Sequence, residues 1–551
     1  MAHLFFFLAT VVASLLWTAA FTAAAARVKP FGWLLRMFAV GIPLFAWLPW
    51  LALTTRLAFE RDLPTNWFGP TLTAFLSTLI GGLWIVSAGL SARGGVAAGH
   101  WPIPGLAAGF GAALLAAGTA IAVLEQDLDR WASGLRAEAT GMMASVMPPP
   151  LPADANAATL YREAQWLFRT AFHIPSKQSE RLFGVNPIPV DSAEVGDVLK
   201  RQAPLLDLIR RGTERADCRF ARDWSQPLAV VLPETDVMRV LASLLALSAG
   251  RQAVDGHPAE ALADVARLGR MAEHSAREPL IVSNAFVGMF IDSLALSTLA
   301  EVLPQVTHVD QLDAIDPLRI AQATELRNAA KNSLVGEEAF FLTVAADLAE
   351  KRISLSTLGK DIVRIEPGIP TPLGAISNLR HWLDRLHRTF MLRYDFDDFR
   401  TRFARFVWHF STRFYAHDDP EARRRYLKES ANIDGYGFYA TLCMPAIPQL
   451  NTAVWRSEAR HNIAGVLLAA TRYRLATGAL PESLEVLVPD YLPSAPADVF
   501  AEDKASLKLV STESAWTVYS IGDNGRDDGG PQPDGSEPIQ GNDDIGLSMK
   551  R

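Results

Sequence analysis

The chain contains only two cysteines, Cys218 and Cys443, among its 551 residues. A disulfide scaffold or a cysteine-built zinc cluster needs more thiols than this, so the sequence excludes both. Two cysteines this far apart are compatible with one disulfide in an oxidising compartment, but such residues are more often two separate buried thiols. The sequence alone leaves these two alternatives open.

The motifs of common catalytic sites are also missing. The chain has no HExxH, no GxSxG and no GxxxxGK[ST] motif, and no GxGxxG follows a predicted strand. Four histidines share one aromatic stretch, but their spacing does not place two imidazoles on one helical turn, as a metal site would need. These histidines are His381, His387, His409 and His417. The sequence therefore favours a non-enzymatic role, although distant segments can still assemble a catalytic pair.

Charged residues are absent from four long apolar segments near the start of the chain. Each segment is close to the roughly 20 residues that cross a bilayer as a helix. The segments are 4–26, 37–55, 71–92 and 101–124. We predict four transmembrane helices here, with a cleaved signal peptide as the alternative for the first segment. The lack of ionisable residues inside these segments argues against a transporter or a pump.

Positive charges between the apolar segments predict the orientation. Arg27, Lys29 and Arg36 follow the first segment and Arg93 follows the third, whereas the middle loop balances its two arginines with two acids. Loops rich in Lys and Arg stay in the cytoplasm. We therefore predict a multi-pass protein of the bacterial inner (cytoplasmic) membrane, with the lipid bilayer as one partner and a periplasmic C-terminal part. The net charge of -7 argues against nucleic acid as a partner.

The middle of the chain is predicted to be helical. A stalk and a proline-rich linker occupy 125–156, and apolar periodicity then predicts helices at 238–254, 259–272, 280–303 and 324–352. The first two of these helices flank an Asp-Gly-His-Pro turn, in which Gly ends one helix and Pro begins the next. This hairpin has the shape of a tetratricopeptide unit. Because no second copy follows at a fixed period, a plain helical bundle is the alternative.

Phenylalanines at helical spacing mark the stretch 379–415. Many arginines accompany them, and two interpretations stay open. The stretch is either a basic amphipathic helix that binds anionic lipid or an acidic partner, or a long helix whose phenylalanines fill a core and whose arginines pair with neighbouring aspartates.

The last hundred residues contain the most specific pattern. A helix at 455–475 ends at Gly478, PESLEVLVP predicts a short second helix, and the runs SLKLVST and AWTVYS predict two antiparallel strands. The tail from 523 to 544 then holds seven acids and one base. Clustered carboxylates repel one another unless a cation joins them, and oxygen ligands suit calcium. A disordered acidic tail is the alternative.

This order of motifs resembles the globular part of the major pseudopilin of type II secretion. The matching runs are LAATRYRLATGALPESLEVLVPDYL, YSIGDNGRDDGG and NDDI. The resemblance implies a small α+β module with calcium bound in its closing loop. The corresponding metal ligands would be Asp523, Asn524, Asp527, Asp528, Asp543 and Asp544. Asn524 stands where the family has Asp, and the four predicted spans replace the family's single apolar helix, so assembly into a pilus is not implied.

Together these observations predict a membrane-anchored, mainly α protein. Its predicted parts are an anchor at 1–124, a stalk at 125–156, a helical domain at 157–450 and a pseudopilin-like α+β module at 451–551. The predicted function is that of a scaffold or interaction protein, stabilised by calcium and connected with envelope or secretion processes through an unidentified protein partner. The alternatives are an envelope hydrolase with its site in the helical domain, and a sensor or secretion component that signals through the anchor.

Overall fold

The structure is a computed structural model. The residues that it describes are 128–147, 151–184, 187–221, 234–277, 282–315, 324–350, 352–353, 396, 446–501, 505–531 and 543–550. The four predicted spans, the phenylalanine stripe at 399–414 with the four histidines around it, and Cys443 lie outside these ranges. The chain divides into two compact units, 1–133 with 347–393, and 134–346 with 394–551. Most described residues belong to the second unit, whose fold is given below.

The described residues are mostly helical, which confirms the mainly α fold class. The helices are α1 (128–146), α2 (Ala157–Thr170), α3 (Ser176–Phe183), α4 (Ala193–Arg201), α5 (Ala203–Thr213), α6 (Glu234–Val254), α7 (Pro258–Ala276), α8 (Val282–Val302), α9 (Thr324–Ala349) and α10 (Ala446–Thr477). Short 3₁₀ turns at Leu303–Gln305, Val309–Ala314 and Glu485–Leu487 complete the helical part.

The predicted helical hairpin is formed by α6 and α7. Gly256 has a φ of 89° in the turn, a conformation that favours glycine, and Pro258 is the first residue of α7. Helix α8 packs against both, and α2 and α5 close the other side of the same core. Leu241, Leu245 and Leu268 are fully buried there. The structure therefore contains one such hairpin within a bundle in the described part of the chain, and its tetratricopeptide-like character stays a prediction.

Two described helices are long and apolar enough to cross a membrane. They are Glu234–Val254 and the segment Ala285–Gln305, and 56% and 67% of their most apolar windows are buried inside the molecule. The core helices of a soluble domain pass the same test of length and hydropathy, so these two helices are weak evidence for membrane association. The topology and the compartment stay predictions.

The C-terminal part combines α10 with a small antiparallel sheet. The predicted pair is confirmed as β1 (Lys508–Ser511) and β2 (Ala515–Ser520), in a register that opposes Leu509 and Val518. A third strand, β3 (Ile545–Lys550), was not predicted; it pairs with the other side of β2. The predicted second short helix is wrong, since PESLEVLVP forms only the 3₁₀ turn at Glu485–Leu487.

Helix α10 joins the sheet to the helical bundle. It begins nine residues before the predicted start at 455, and the predicted boundary between 450 and 451 lies inside it. Its buried face, which includes Ile463 and Leu467, packs against α8, and β3 contacts both helices. The guanidinium of Arg474 donates to the carbonyls of Leu303, Pro304 and Val306, which satisfies acceptors at the end of α8. The bundle and the sheet therefore share a core within the second unit.

Candidate functional site

The acidic loop follows β2 directly and folds back on itself. Asp498 fixes its start, because this buried carboxylate accepts hydrogen bonds from the Ser520 hydroxyl at 2.6 Å and the Ile521 amide at 2.8 Å. Gly522 has a φ of 62°, and a Cβ on it would lie only 1.9 Å from the carbonyl oxygen of Asp543. Only glycine permits this close approach, so the chain before Asp523 is pressed against the chain that enters β3.

Four of the six predicted calcium ligands meet where these two segments touch. The amides of Asp528 and Gly530 donate to Oδ2 of Asp544 at 3.1 and 2.7 Å. The Asp543 amide and the Asn524 side chain donate to Oδ2 of Asp528 at 3.2 and 2.8 Å. The loop is thus closed by hydrogen bonds between residues that are 14 to 16 positions apart.

Negative charge accumulates around Asp544. Burial raises the pKa of this carboxyl, and the nearby charges of Asp528 and Asp527 raise it further, whereas the amides of Gly530 and Asp528 act in the opposite direction. The net pKa is above its ordinary value, which means that the folded loop disfavours the ionised form. A cation bound beside Asp544 and Asp528 would offset this repulsion.

The other two predicted ligands already have cationic partners. Asp523 forms an ion pair with Arg456 of α10, whose Nε donates to Oδ2 at 2.8 Å. Asp527 lies 3.0 Å from the Lys508 ammonium and accepts the Tyr519 hydroxyl at 3.0 Å. The hydrogen bond from Lys508 is the largest cause of the lowered pKa of Asp527. Burial is the largest cause that raises the pKa of Tyr519 to about 12, and the hydrogen bond to Asp527 is the second.

Within the described ranges, no group of three or more His, Cys, Asp or Glu side chains is arranged to hold a metal ion. Residues 532–542 connect the two halves of the loop and lie outside those ranges. The donors fit calcium in part: Asp528 and Asp544 supply carboxylate oxygens, and Asn524 supplies an amide, whose oxygen accepts the Arg526 amide at 2.7 Å. Calcium binding in the loop therefore stays a prediction.

A second polar cluster is buried between α8 and α10, and sequence reasoning missed it. Nε2 of His461 lies 3.0 and 3.1 Å from the two carboxylate oxygens of Asp292, and the Ser457 hydroxyl donates to the same carboxylate at 3.0 Å. All three residues are less than a tenth exposed. One signal was available: Ser457 and His461 are four residues apart on a helix, and a lone aspartate interrupts the apolar first two-thirds of α8.

Further charges surround this cluster. Burial lowers the pKa of Arg460, Arg456 lowers it further, and Asp292 acts in the opposite direction. Glu458 forms an ion pair with Arg327 of α9. Ser457, His461 and Asp292 are the residue types of a hydrolytic triad, but the serine hydroxyl donates to the aspartate and not to the histidine. In a triad the histidine stands between the other two and removes the proton of the serine.

Comparison with protein-family models, with characterised proteins and with solved structures gives no match for this chain.

Proposed function

We propose that this protein is a membrane-anchored scaffold or interaction protein whose pseudopilin-like C-terminal module is stabilised by calcium. The observation that supports the proposal is the closed acidic loop, in which Asp528, Asp543 and Asp544 meet from both sides of the loop. The four apolar segments at 1–124 support a multi-pass anchor in a bacterial inner membrane. Their flanking charges favour a periplasmic location for the module, and the resemblance to the pseudopilin connects it with envelope or secretion processes.

Calcium would act in this proposal as the counter-charge of the loop. The raised pKa of Asp544 reflects unfavourable ionisation beside other acids, and a divalent cation would remove that cost. Oxygen ligands from Asp528, Asp544 and Asn524, completed by backbone carbonyls and water, form the type of set that calcium accepts. Binding to the folded loop alone would raise the stability of the module by mass action.

Calcium titration of the full-length protein tests this proposal. The protein is purified in detergent micelles, treated with a chelator and titrated with calcium by calorimetry, with thermal unfolding measured in parallel. We expect saturable heat and a higher unfolding temperature for the wild type, and neither for the Asp528→Asn/Asp544→Asn double variant. Asp490→Asn removes an exposed acid of the same module outside the loop and serves as the matched control. Wild-type protein without heat and without a thermal shift would refute calcium binding.

A hydrolase is the second candidate function, and the buried cluster of Asp292, Ser457 and His461 favours it by residue type. The hydrogen bond of Ser457 argues against this function, because its hydroxyl donates its proton to Asp292, whereas an activated serine donates it to the histidine. A fluorophosphonate probe, which labels activated serines, decides between the two. Labelling that disappears in Ser457→Ala would support the hydrolase, and equal labelling of both proteins would exclude Ser457 as a nucleophile.

A further inference from the structure

Two arginines share one buried carboxylate near the turn of the α6–α7 hairpin. Asp264 of α7 is 1% exposed. Arg210 of α5 donates to both of its oxygens, from Nε to Oδ1 at 3.0 Å and from Nη2 to Oδ2 at 2.6 Å. Arg267 of α7 donates from Nη1 to Oδ1 at 2.8 Å. Because both guanidiniums bond to the same oxygen, they lie side by side.

Polar side chains from α6 hold this arrangement in place. The Gln252 amide and the Ser248 hydroxyl donate to Oδ2 of Asp264 at 2.9 and 3.3 Å, and Nη2 of Arg210 also donates to Ser248 at 3.0 Å. The two-pronged bond between Arg210 and Asp264 fixes the plane of the guanidinium. The cluster is therefore built from three helices, and its arginines are held in defined orientations.

The cluster carries more positive than negative charge. Asp207 is the other acid that acts on Arg210, and it pairs with Arg211 at 3.4 Å. Among the residues that the structure describes, two guanidiniums thus pair with one carboxylate, so the cluster has an excess of one positive charge. The side chains of Arg210 and Arg267 are each 32% exposed, so this charge is partly removed from water. An excess charge that is partly removed from water is costly, and a bound anion would offset that cost.

Several donors of the two guanidiniums are not used. Arg210 commits Nε and Nη2, and Arg267 commits Nη1. Among the described residues no acceptor is found for Nη1 of Arg210 or for Nε and Nη2 of Arg267, and both side chains reach solvent. Neighbouring guanidinium donors in fixed planes match the oxygens of a carboxylate or a phosphate group.

We propose that Arg210 and Arg267 form a binding site for an oxyanion, a carboxylate or phosphate group that bridges their unused donors. Asp264 orients the two arginines from their buried side and does not contact the ligand. This site is separate from the acidic loop and does not depend on calcium binding there. It would allow the helical domain to hold an anionic ligand or an acidic group of a partner.

Titration with simple anions tests the site in the full-length protein in detergent micelles. Inorganic phosphate and acetate are added in separate series at constant ionic strength, and binding is followed by calorimetry and thermal unfolding. We expect saturable binding of at least one anion by the wild type. Tighter binding of phosphate would identify a phosphate site, and equal or tighter binding of acetate would identify a carboxylate site.

Arg267→Gln is the informative variant, because it removes unused donors and leaves the Arg210–Asp264 pair intact. We expect it to weaken anion binding about tenfold or more, the factor that corresponds to 1.4 kcal/mol. Arg211→Gln removes the adjacent arginine, which pairs with Asp207, and should bind as the wild type does. Arg267→Lys keeps the charge without the planar fork and should bind with intermediate affinity; it also tests the site if Arg267→Gln does not fold. Absence of saturable binding to the wild type, or wild-type affinity in both Arg267 variants, would overturn the proposal.

Discussion

Asp264 is the buried charge on which the α5–α6–α7 contact depends. Its carboxylate accepts hydrogen bonds from Arg210, Arg267, Ser248 and Gln252. Removing the acid leaves two guanidiniums facing each other without a counter-charge. We expect Asp264→Asn to lower the free energy of unfolding by about 1.5–3 kcal/mol, the usual contribution of hydrogen bonds to a charged group, because the arginines that remain still reach solvent. Denaturant unfolding of the full-length protein measures this loss. Asp255→Asn removes an exposed acid of the same hairpin and should cost less than about 1 kcal/mol.

The close contact that closes the acidic loop at Gly522 can be tested by adding a single carbon atom, the Cβ of alanine. Gly522 and Gly529 both have positive φ angles, 62° and 90°, so an alanine at either position suffers the left-handed strain of about 1–2 kcal/mol. A Cβ at 522 would also meet the Asp543 carbonyl, whereas a Cβ at 529 has no neighbour within 4 Å. We expect Gly522→Ala to lower the unfolding temperature clearly more than Gly529→Ala does. Equal shifts would show that the two segments of the loop are not in contact.

Tyr519 makes the stability of the sheet sensitive to alkaline pH. Its pKa is raised from 10.0 to about 12, first by burial and then by its hydrogen bond to Asp527. The unfolded chain releases this proton near pH 10 while the folded chain keeps it, so the contribution to stability is full below pH 10 and is lost between pH 10 and 12. We expect Tyr519→Phe to be less stable at neutral pH and to lose less stability over this interval. Parallel pH curves of the two proteins, measured by denaturant unfolding, would contradict the assignment.

At the scale of elements, sequence periodicity predicted the helices and strands whose formation depends on residues close together in sequence. The hairpin α6–α7, the helix α8 and the pair β1–β2 follow from local spacing of apolar residues and from glycine and proline at the turns. Strand β3 was missed because no element was predicted after the acidic tail at 523–544, although Ile545, Leu547 and Met549 alternate with smaller or polar residues. All six residues of β2 are buried, so the backbone N–H and C=O groups on both of its edges need partners, which β1 and β3 supply.

Sequence spacing could mark single residues that join distant elements, such as Ser457 and His461, but it could not show which residues they contact. Asp292 and His461 are 169 residues apart, and Arg210 and Asp264 are 54 apart, so no spacing rule connects them. That Asp523 pairs with Arg456, and Asp527 with Lys508, depends on how α10 and β1 lie beside the loop, which is a property of the folded chain.

The hydrogen bonds between Asp292 of α8 and His461 of α10 predict a measurable coupling free energy between these two helices. His461 bonds to both oxygens of Asp292, and both side chains are buried, so each single substitution disturbs the same buried hydrogen bonds. In a double-mutant cycle of Asp292→Asn and His461→Gln, we expect a coupling free energy of about 1–3 kcal/mol. The cycle of Asp292→Asn with Arg474→Gln, which lies further along α10, should be additive within about 0.5 kcal/mol. Additivity in the first cycle would mean that the histidine and the aspartate do not interact.

At the scale of the whole molecule, the C-terminal module is bound to the helical domain by more than a linker. Ser457 and His461 bond to Asp292, Arg474 caps the end of α8, and the apolar face of α10 packs on α8. Separating the module would expose this apolar face and would remove the hydrogen bonds that Ser457 and His461 make to Asp292. The two parts therefore stabilise each other. A ligand that binds one folded part, whether calcium or an anion, would also raise the stability of the other part.

This interdependence predicts the behaviour of fragments. We expect residues 446–551 expressed alone to lack a cooperative thermal transition and a dispersed amide NMR spectrum, because α10 loses the helix against which it folds. Mixing this fragment with residues 151–350 should restore both signals if the α8–α10 contact is the main attachment. The same mixture with Asp292→Asn in the longer fragment is the control and should assemble less tightly. A fragment 446–551 that unfolds cooperatively by itself would show that the module is an independent domain.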